Sequence, residues 1–420
     1  MDPIDILKAR EERINNLKNA MEKWGFDSSY VIIKSNYPGR EKTNIFTIFL
    51  VNYFKKLIFE RFKPENSLYF DSFDGPYYIT LLNMNGLEAK KLMVEIEEEN
   101  EIGRLIDLDV YYKSLISISR KDLNRERRKC IVCNNDPIIC SKLKKHDINE
   151  IKKVINDKTN GFLFSKINEI IKESILTELN LDPKFGLVTP FSQGSHNDMD
   201  YDLMASSIEV VSKGISELFL VGYHNNINDT YEIIRNKGLE IEKKMLNITN
   251  GINTYKGLIF VLGFISASLG NYIRDFRGNL ISRLKQLANR INDDFNDFSG
   301  KTFGEKAYLE YGIRGARGIV IDGVPLAFEL SKSLKYDKED LIMTLAKIIS
   351  QTDDTVLLKR CNDINKYNYY KDRFKVLKYS EVNKLTKECI KENLSFGGSA
   401  DVLIATIFLN KVKDFIDYEW

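Results

Sequence analysis

Gly103-Arg104-Leu105-Ile106-Asp107-Leu108-Asp109-Val110 sets two carboxylates two residues apart in an otherwise apolar run. Residues i and i+2 of a strand share a face, so Asp107 and Asp109 point the same way from a well-anchored element. Two hard oxygen ligands so placed suit Mg²⁺, which bridges nucleotide phosphates in phosphoryl and nucleotidyl transfer; a plain acidic strand face is the alternative. Upstream, Asn36-Tyr37-Pro38-Gly39-Arg40-Glu41-Lys42-Thr43-Asn44 reads as a strand-to-helix turn. There Asn36, Gly39, Lys42 and the following helix start suit a bound phosphate, with a simple strand-to-helix connector as the equal alternative. Downstream, residues 120–129 carry Arg120, Lys121, Arg125, Arg127, Arg128 and Lys129 against Asp122 and Glu126. With Arg104, this run is suited to clamp a polyphosphate or meet an acidic carrier protein, a solvated face being the plainer reading.

Cys130, Cys133, Cys140 and His146 then form a C-x2-C-x6-C-x5-H array of residue types that all ligate Zn²⁺. The separations are not those of a standard finger. Ile131, Val132, Ile138 and Ile139 lie among them, so buried free thiols are the preferred expectation and structural zinc the alternative.

A second group of polar clusters stands at helix starts. Gln193-Gly194-Ser195-His196-Asn197-Asp198-Met199-Asp200 offers an imidazole beside two carboxylates, for which helix capping is the competing account. Asn253 and Lys256 open an apolar helix, Arg314 and Arg317 alternate with glycines, Asp353 and Asp354 form another acidic pair, and Gly397-Gly398-Ser399 begins the last helix. Glycines at helix starts permit close backbone approach to an anion. Together the clusters describe a cleft. His196, Asp198, Asp200, Asp353 and Asp354 are expected to converge as catalytic groups, with Asp198, Asp200 and Asp353 as Mg²⁺ ligands. Lys256 and Arg317 are expected on the facing wall, at phosphate distance.

The elements that carry these groups belong to an ordinary globular chain. Its 420 residues suffice for two or three domains, and 43% hydrophobic, 11% aromatic and 29% charged residues exclude a disordered or fibrous class. Lys and Arg total 62 against 60 acidic residues; positions 1–158 hold 28 and 25, the remainder 34 and 35. Neither part carries the field that non-specific nucleic-acid binding requires. No apolar leader follows Met1-Asp2-Pro3-Ile4-Asp5, and five cysteines do not make a secreted disulfide framework. The longest apolar run, Leu258 to Leu269, is too short to cross a bilayer and reads as a buried helix. A cytoplasmic protein without membrane or nucleic-acid partners is expected.

Up to a break at Lys158-Thr159-Asn160-Gly161, helices at 5–23, 43–62 and 88–98 alternate with strands at 30–34, 67–71, 77–82, 104–111 and 115–119. This predicts an α/β or α+β sheet domain over residues 1–158. Beyond it, helical periodicity covers 162–179, 199–221, 229–248, 255–272, 276–296, 325–335, 338–350, 380–393 and 400–417, so residues 159–420 are expected to form an all-α bundle.

Over most of residues 10–156, the motifs at Asn36–Asn44, Gly75-Pro76, Gly103–Val110, Ser119-Arg120, Arg128 and the Cys130–His146 array resemble one family in the right order. It is that of the apo-citrate lyase phosphoribosyl-dephospho-CoA transferases, or holo-citrate-lyase synthases. The resemblance implies a nucleotidyltransferase-like domain in which a serine of the citrate lyase acyl carrier protein (the γ subunit) attacks the α-phosphorus of a triphosphoribosyl-dephospho-CoA. Pyrophosphate leaves, and Asp107 and Asp109 hold the metal.

From about 160 to 417, Gly186-Leu187-Val188, Gly194–Asp200, Asn253-Thr254-Tyr255-Lys256-Gly257, Tyr311-Gly312, Arg317-Gly318, Asp353-Asp354-Thr355 and Gly397–Asp401 are similar to the triphosphoribosyl-dephospho-CoA synthases. That family joins ATP to 3′-dephospho-CoA with release of adenine, using Mg²⁺. Tyr255, Ile319, the stretch to Cys361 and Phe396 depart from its usual residues. A bifunctional enzyme is therefore expected. The alternatives are one active half, or a malonate decarboxylase carrier as acceptor. A zinc-dependent RNA-binding module is disfavoured, because residues 120–146 contain no aromatic residue on which bases would stack.

Overall fold

The computed structural model describes residues 3–418. The chain divides into two compact units, the first comprising Met1–Leu163 with the short segment Ile273–Phe276, the second Phe164–Tyr272 with Arg277–Trp420.

In the first unit the order is α1 (Pro3–Trp24), β1 (Ser29–Ser35), α2 (Ile45–Phe62), β2 (Ser67–Phe70), β3 (Tyr77–Leu82), α3 (Gly86–Glu99), β4 (Ile106–Tyr112), β5 (Ser117–Ile118), α4 (Pro137–Lys142) and the start of α5 (Ile148–Leu179). The strands form one sheet ordered β2-β3-β1-β4-β5, antiparallel throughout, so no parallel crossover is needed. The central β1 is buried along nearly all its length, which is why Tyr30-Val31-Ile32-Ile33 is a continuous apolar run. On one face Leu17, Ala20 and Met21 of α1 meet Tyr30, Ile32, Tyr77, Ile79 and Tyr111. An Asn44–Thr47 capping box starts α2, where Asn44 accepts from the Phe46 and Thr47 amides.

The expected break at Lys158–Gly161 does not exist: α5 runs from Ile148 to Leu179 without interruption. One glycine costs a helix only about 1 kcal/mol, which the burial of Ile155, Phe162 and Leu163 on either side offsets, and a side chain at Gly161 would meet open space. The strand expected at 104–111 begins later, because Gly103–Leu105 is a 3₁₀ turn.

The second unit is helical: after the end of α5 come α6 (Tyr201–His224), α7 (Ile227–Ile248), α8 (Lys256–Ile273), α9 (Leu280–Ala288), α10 (Phe303–Tyr311), α11 (Gly315–Ile321), α12 (Pro325–Ser331), α13 (Lys338–Gln351), α14 (Thr355–Cys361), α15 (Ile364–Lys375), α16 (Val382–Lys391) and α17 (Gly397–Phe415). The helix expected at 276–296 is shorter, α9 passing into a 3₁₀ stretch over Asn289–Asp297. With 18 residues and mean hydropathy 1.4, α8 has the length and composition of a membrane span, more than the run Leu258–Leu269 indicated. But 83% of it is buried inside the protein, the mark of a core helix.

Candidate active sites

Register places Asp107 opposite Lys34 and Asp109 opposite Ile32, so both carboxylates lie on the sheet face that α1 covers. There the apolar cluster gives way to charge. The buried Asp74 carboxylate is bonded by Arg13 and paired with Lys34 at 3.2 Å, Lys42 at 3.1 Å and Arg10 at 3.6 Å. Burial pushes the Asp74 carboxyl up, but Lys34, Arg13 and Lys42 overcome it and hold it well below the usual carboxylate range. For Asp109 burial and the nearby Asp107 charge act together and raise it.

Two-residue β5 leaves most of the β4 edge without a strand partner, and side chains take that role. Glu97 accepts the Leu108 N–H at 3.2 Å, Lys90 donates to the Leu108 carbonyl at 2.9 Å, and Arg128 donates to the Ile106 carbonyl at 2.6 Å and to Asp107. A Cβ on Gly103 would overlap the Glu97 backbone, so only glycine allows α3 to end this close to the start of β4. Beside this edge Arg104, Arg120, Arg125, Arg127, Arg128 and Lys129 line an open cavity of about 570 Å³, with Glu97, Glu98 and Glu126.

Two expected phosphate ligands are committed elsewhere. The Lys42 ammonium is paired with Asp74, and the Asn36 amide donates to the Arg104 carbonyl at 3.1 Å, tying the turn to the β4 start. Gly39 supplies a left-handed turn residue (φ +89°). Sequence reasoning missed Asp74, whose signal was its place directly before the Gly75-Pro76 turn.

The three cysteines of the array are free thiols, as expected, with Cys130 and Cys140 buried and Cys133 half-buried. The Sγ atoms of Cys130, Cys133 and Cys140 and a ring nitrogen of His146 all lie within 4.8 Å of one another. Ile138 and Ile139, read as core, are exposed.

In the second unit a cavity of about 880 Å³ gathers His196, Asp198, Asn253, Lys256, Arg314, Arg317, Asp353, Gly397 and Gly398. These come from loops and helix starts spread over some 200 positions. Glu178, Lys184, Tyr255, Lys359, Arg360 and Asp401 also line it.

Each acidic pair divides its work. Asp200 caps α6 by accepting the Leu203 N–H at 2.9 Å, while Asp198 lines the cavity. Asp354 is fully buried and caps α14. One oxygen accepts from Val356 and Leu357, the other from the Ser399 amide and hydroxyl, both at 2.8 Å. Asp200, Asp354 and Ser399 are thus placed as structural groups, correcting the expectation that they face the ligand. Lys256 and Arg317 lie on the cavity wall already paired, with Glu242 at 2.6 Å and Asp294 at 2.9 Å.

His196 sits between Ser395 Oγ (2.9 Å from Nε2) and Arg360 (3.3 Å from Nδ1), with Asp198 at 3.8 Å. Nδ1 thus faces both a guanidinium, which only donates, and a carboxylate, which only accepts when ionised. Burial and the Arg360 charge push the imidazole below its ordinary value. Deeper in the wall, Lys184 pairs with Glu178 at 2.9 Å, both buried. The Tyr255 hydroxyl is buried without a hydrogen-bond partner among the described residues. Burial, with Asp354 and Glu178 nearby, drives Asp401 well above the ordinary carboxylate range, against a hydrogen bond from the Leu258 N–H. A Cβ on Gly257 would strike that carboxylate. Asp401, the last residue of the Gly397–Asp401 motif, and Arg360 were given no site role; Asp401 lies two positions beyond Ser399 and Arg360 six beyond Asp354.

Comparison with known families divides the chain in the same order. Residues 2–162 match the apo-citrate lyase phosphoribosyl-dephospho-CoA transferase family, and residues 164–417 match ATP:dephospho-CoA triphosphoribosyl transferase. A protein called CitXG from Leuconostoc mesenteroides subsp. cremoris is 29% identical, with 97% of each chain covered. Its namesake from Haemophilus influenzae is 30% identical over 78% of each. A probable 2-(5''-triphosphoribosyl)-3'-dephosphocoenzyme-A synthase of Lactiplantibacillus plantarum is 31% identical, aligning 58% of this chain with 95% of its own.

Proposed function

From membership of the ATP:dephospho-CoA triphosphoribosyl transferase family, to which the chain belongs as a fusion with an apo-citrate lyase phosphoribosyl-dephospho-CoA transferase domain, we propose a cytoplasmic enzyme that makes and attaches the citrate lyase prosthetic group in two steps. The observation that carries this reading is the convergence of His196, Asp198, Asn253, Lys256, Arg314, Arg317, Asp353, Gly397 and Gly398 on one cavity.

In the first step ATP and 3′-dephospho-CoA occupy that cavity. The ribose 2′-oxygen of dephospho-CoA bonds to C1 of the ATP ribose, the bond from C1 to adenine breaks, and the hydroxyl proton ends on the departing adenine. The transition state has oxocarbenium character, which carboxylates stabilise. Asp401, held toward its protonated form by burial and the neighbouring carboxylates, is suited to hand a proton to the departing adenine and to be recharged by the hydroxyl proton, and Tyr255 has an unused hydroxyl to offer substrate. Lys359, Arg314 and Arg317 supply positive charge for the triphosphate. The hard oxygens of Asp198 and Asp353 fit Mg²⁺, which when bound neutralises triphosphate charge.

In the second step the carrier serine oxygen bonds to the α-phosphorus of the triphosphoribosyl product and pyrophosphate departs. Asp107 and Asp109 fit a second Mg²⁺ for the same purpose, since two acids on one face, one of them raised by burial and by the other's charge, are relieved by a cation. The arginine-rich cavity beside them is suited to receive the pyrophosphate end.

Mass spectrometry tests both steps. Incubated with ATP, 3′-dephospho-CoA, Mg²⁺ and the apo acyl carrier (γ) subunit of citrate lyase, the protein should add a phosphoribosyl-dephospho-CoA mass to the carrier and release adenine. Premade intermediate isolates the second step. No adenine with the first pair of substrates would overturn the synthase assignment, and no loading from the intermediate would overturn the transferase assignment. Loading of a malonate decarboxylase carrier instead would move the acceptor.

A further inference from the structure

The segment from Cys130 to His146 has little to hold it in place by packing. Its helix, α4, has six residues, and Ile138, Ile139 and Leu143 are 39%, 54% and 71% exposed. A stretch without its own apolar core needs a cross-link or a metal to keep one shape. Yet its donors converge. Cys133 and Cys140 Sγ are 3.5 Å apart, and His146 Nε2 lies 3.1 Å from Cys133 Sγ. With Zn–S near 2.3 Å, the edge of a tetrahedral thiolate site is about 3.8 Å, so separations of this order need only small shifts to accept the ion.

Two further features point to a metal rather than to packed thiols. His146 directs Nδ1 to Glu150 Oε2 at 3.3 Å. That contact fixes the proton on Nδ1 and leaves the Nε2 lone pair aimed at the sulfurs, the arrangement of a carboxylate-supported histidine ligand. The backbone is bent to match. Asn134 is left-handed (φ +60°), its amide bonds back to the Cys130 carbonyl at 3.1 Å, and Cys130 N–H reaches the Asn135 carbonyl at 2.7 Å. This tight turn carries the C-x2-C pair. The Asn135 amide also donates to Cys133.

We propose that Cys130, Cys133, Cys140 and His146 bind one structural Zn²⁺ that anchors the basic run 120–129 beside the β4 edge. On binding, each cysteine loses its proton to solvent. Three thiolates and a neutral imidazole around Zn²⁺ leave a single net negative charge. Arg104 lies within electrostatic range of Cys130, and its Nε donates to the Lys129 carbonyl at 2.7 Å. Arg128, two residues before the first ligand, bonds Asp107 and the Ile106 carbonyl. The zinc centre thereby fixes the C-terminal end of the segment whose arginines line the smaller cavity.

The test does not depend on the enzymatic reading. Full-length protein, purified without a metal-affinity tag or chelator under reducing conditions, should contain about one zinc per chain by elemental analysis. Replacement by Co²⁺ should give the visible absorption of four-coordinate cobalt together with thiolate-to-metal charge-transfer bands. Cys140→Ser should lose the zinc. Chelation of the wild type should open the run Arg125–Lys129 to trypsin, and added zinc should close it again. Wild-type protein that holds no zinc and takes up no cobalt, or that shows a Cys133–Cys140 disulfide under these conditions, overturns the proposal. So does zinc retained at full stoichiometry in Cys140→Ser.

Discussion

The two candidate sites are built by opposite means. In the first unit, one strand sets Asp107 and Asp109 on a common face, and short side-chain bonds to the β4 edge hold Arg128, Lys90 and Glu97 around it. In the second, no element supplies more than a few groups. Helix starts bring His196, Asn253, Arg314, Asp353 and Gly397 to one cavity. A strand site is readable from a two-residue period, whereas a helix-start site shares its residue types with ordinary caps. The pairs Asp198/Asp200 and Asp353/Asp354 show how the two uses separate. In each, the residue nearer the helix caps it and the one before faces the cavity.

The largest effect should come from the strand site. Asp107→Asn or Asp109→Asn should lower carrier loading from supplied intermediate by about three decades or more, the loss expected when a metal-bridging ligand is removed. Adenine release should be unchanged. Near-normal loading by either variant at saturating Mg²⁺ would remove both residues from the site.

Asp74 offers a sharper comparison of charge with chemistry in the same unit. Asp74→Asn leaves Arg13, Lys34 and Lys42 facing one another in a largely buried position, and should cost about 3–5 kcal/mol by denaturant unfolding. The pH dependence has a definite sign. Because the folded carboxyl is held below its unfolded value, this stability is fully present above the ordinary aspartate pKa and is lost as the solution is acidified below it. Wild type should therefore lose more stability than Asp74→Asn on acidification below about pH 4. Equal losses would mean that the cluster contributes little.

Particular residues show what was legible and what was not. Continuous apolar β1, aromatic α2 and buried α8 announce themselves because their burial follows from composition. The loop read at 158–161 lies inside α5 because a polar, glycine-containing helical turn looks like a loop, while the two units part a few residues on, between Leu163 and Phe164. Helices α10, α11, α14 and α15 fall outside the stretches read as periodic; the longest has 12 residues, and tertiary packing rather than periodicity stabilises such helices. The Cys3His geometry was hidden for another reason: four donors meet through left-handed turns at Asn134 and Lys144, which spacing alone does not reveal.

The split within each acidic pair leads to a double comparison. Asp198→Ala and Asp353→Ala should each reduce adenine release by about two decades or more, with little change in unfolding, if they hold Mg²⁺ beside the triphosphate. Asp200→Ala should do the reverse: about 1 kcal/mol of stability lost with the cap, and activity within a few-fold of normal. Adenine release that falls equally in Asp198→Ala and Asp200→Ala would erase the distinction between cap and ligand.

The smallest effect tests how the second site sets the charge on its imidazole. His196 is pushed down first by burial and then by Arg360, while Asp198 pulls it up. Arg360→Gln removes the opposing charge but leaves the burial, so the His196 pKa should rise in a histidine NMR titration without passing far above its ordinary range. The acid limb of the adenine-release profile should move to higher pH in the same direction if neutral His196 is required, with a change of only a few-fold at the optimum. Asp198→Asn removes an attractive charge instead and should move the titration the opposite way. That pair of opposite shifts distinguishes electrostatic tuning from a general loosening of the site, which would carry both variants toward the value of a solvated histidine. Movement of both titrations in one direction would therefore discard Arg360 as the residue that keeps His196 neutral.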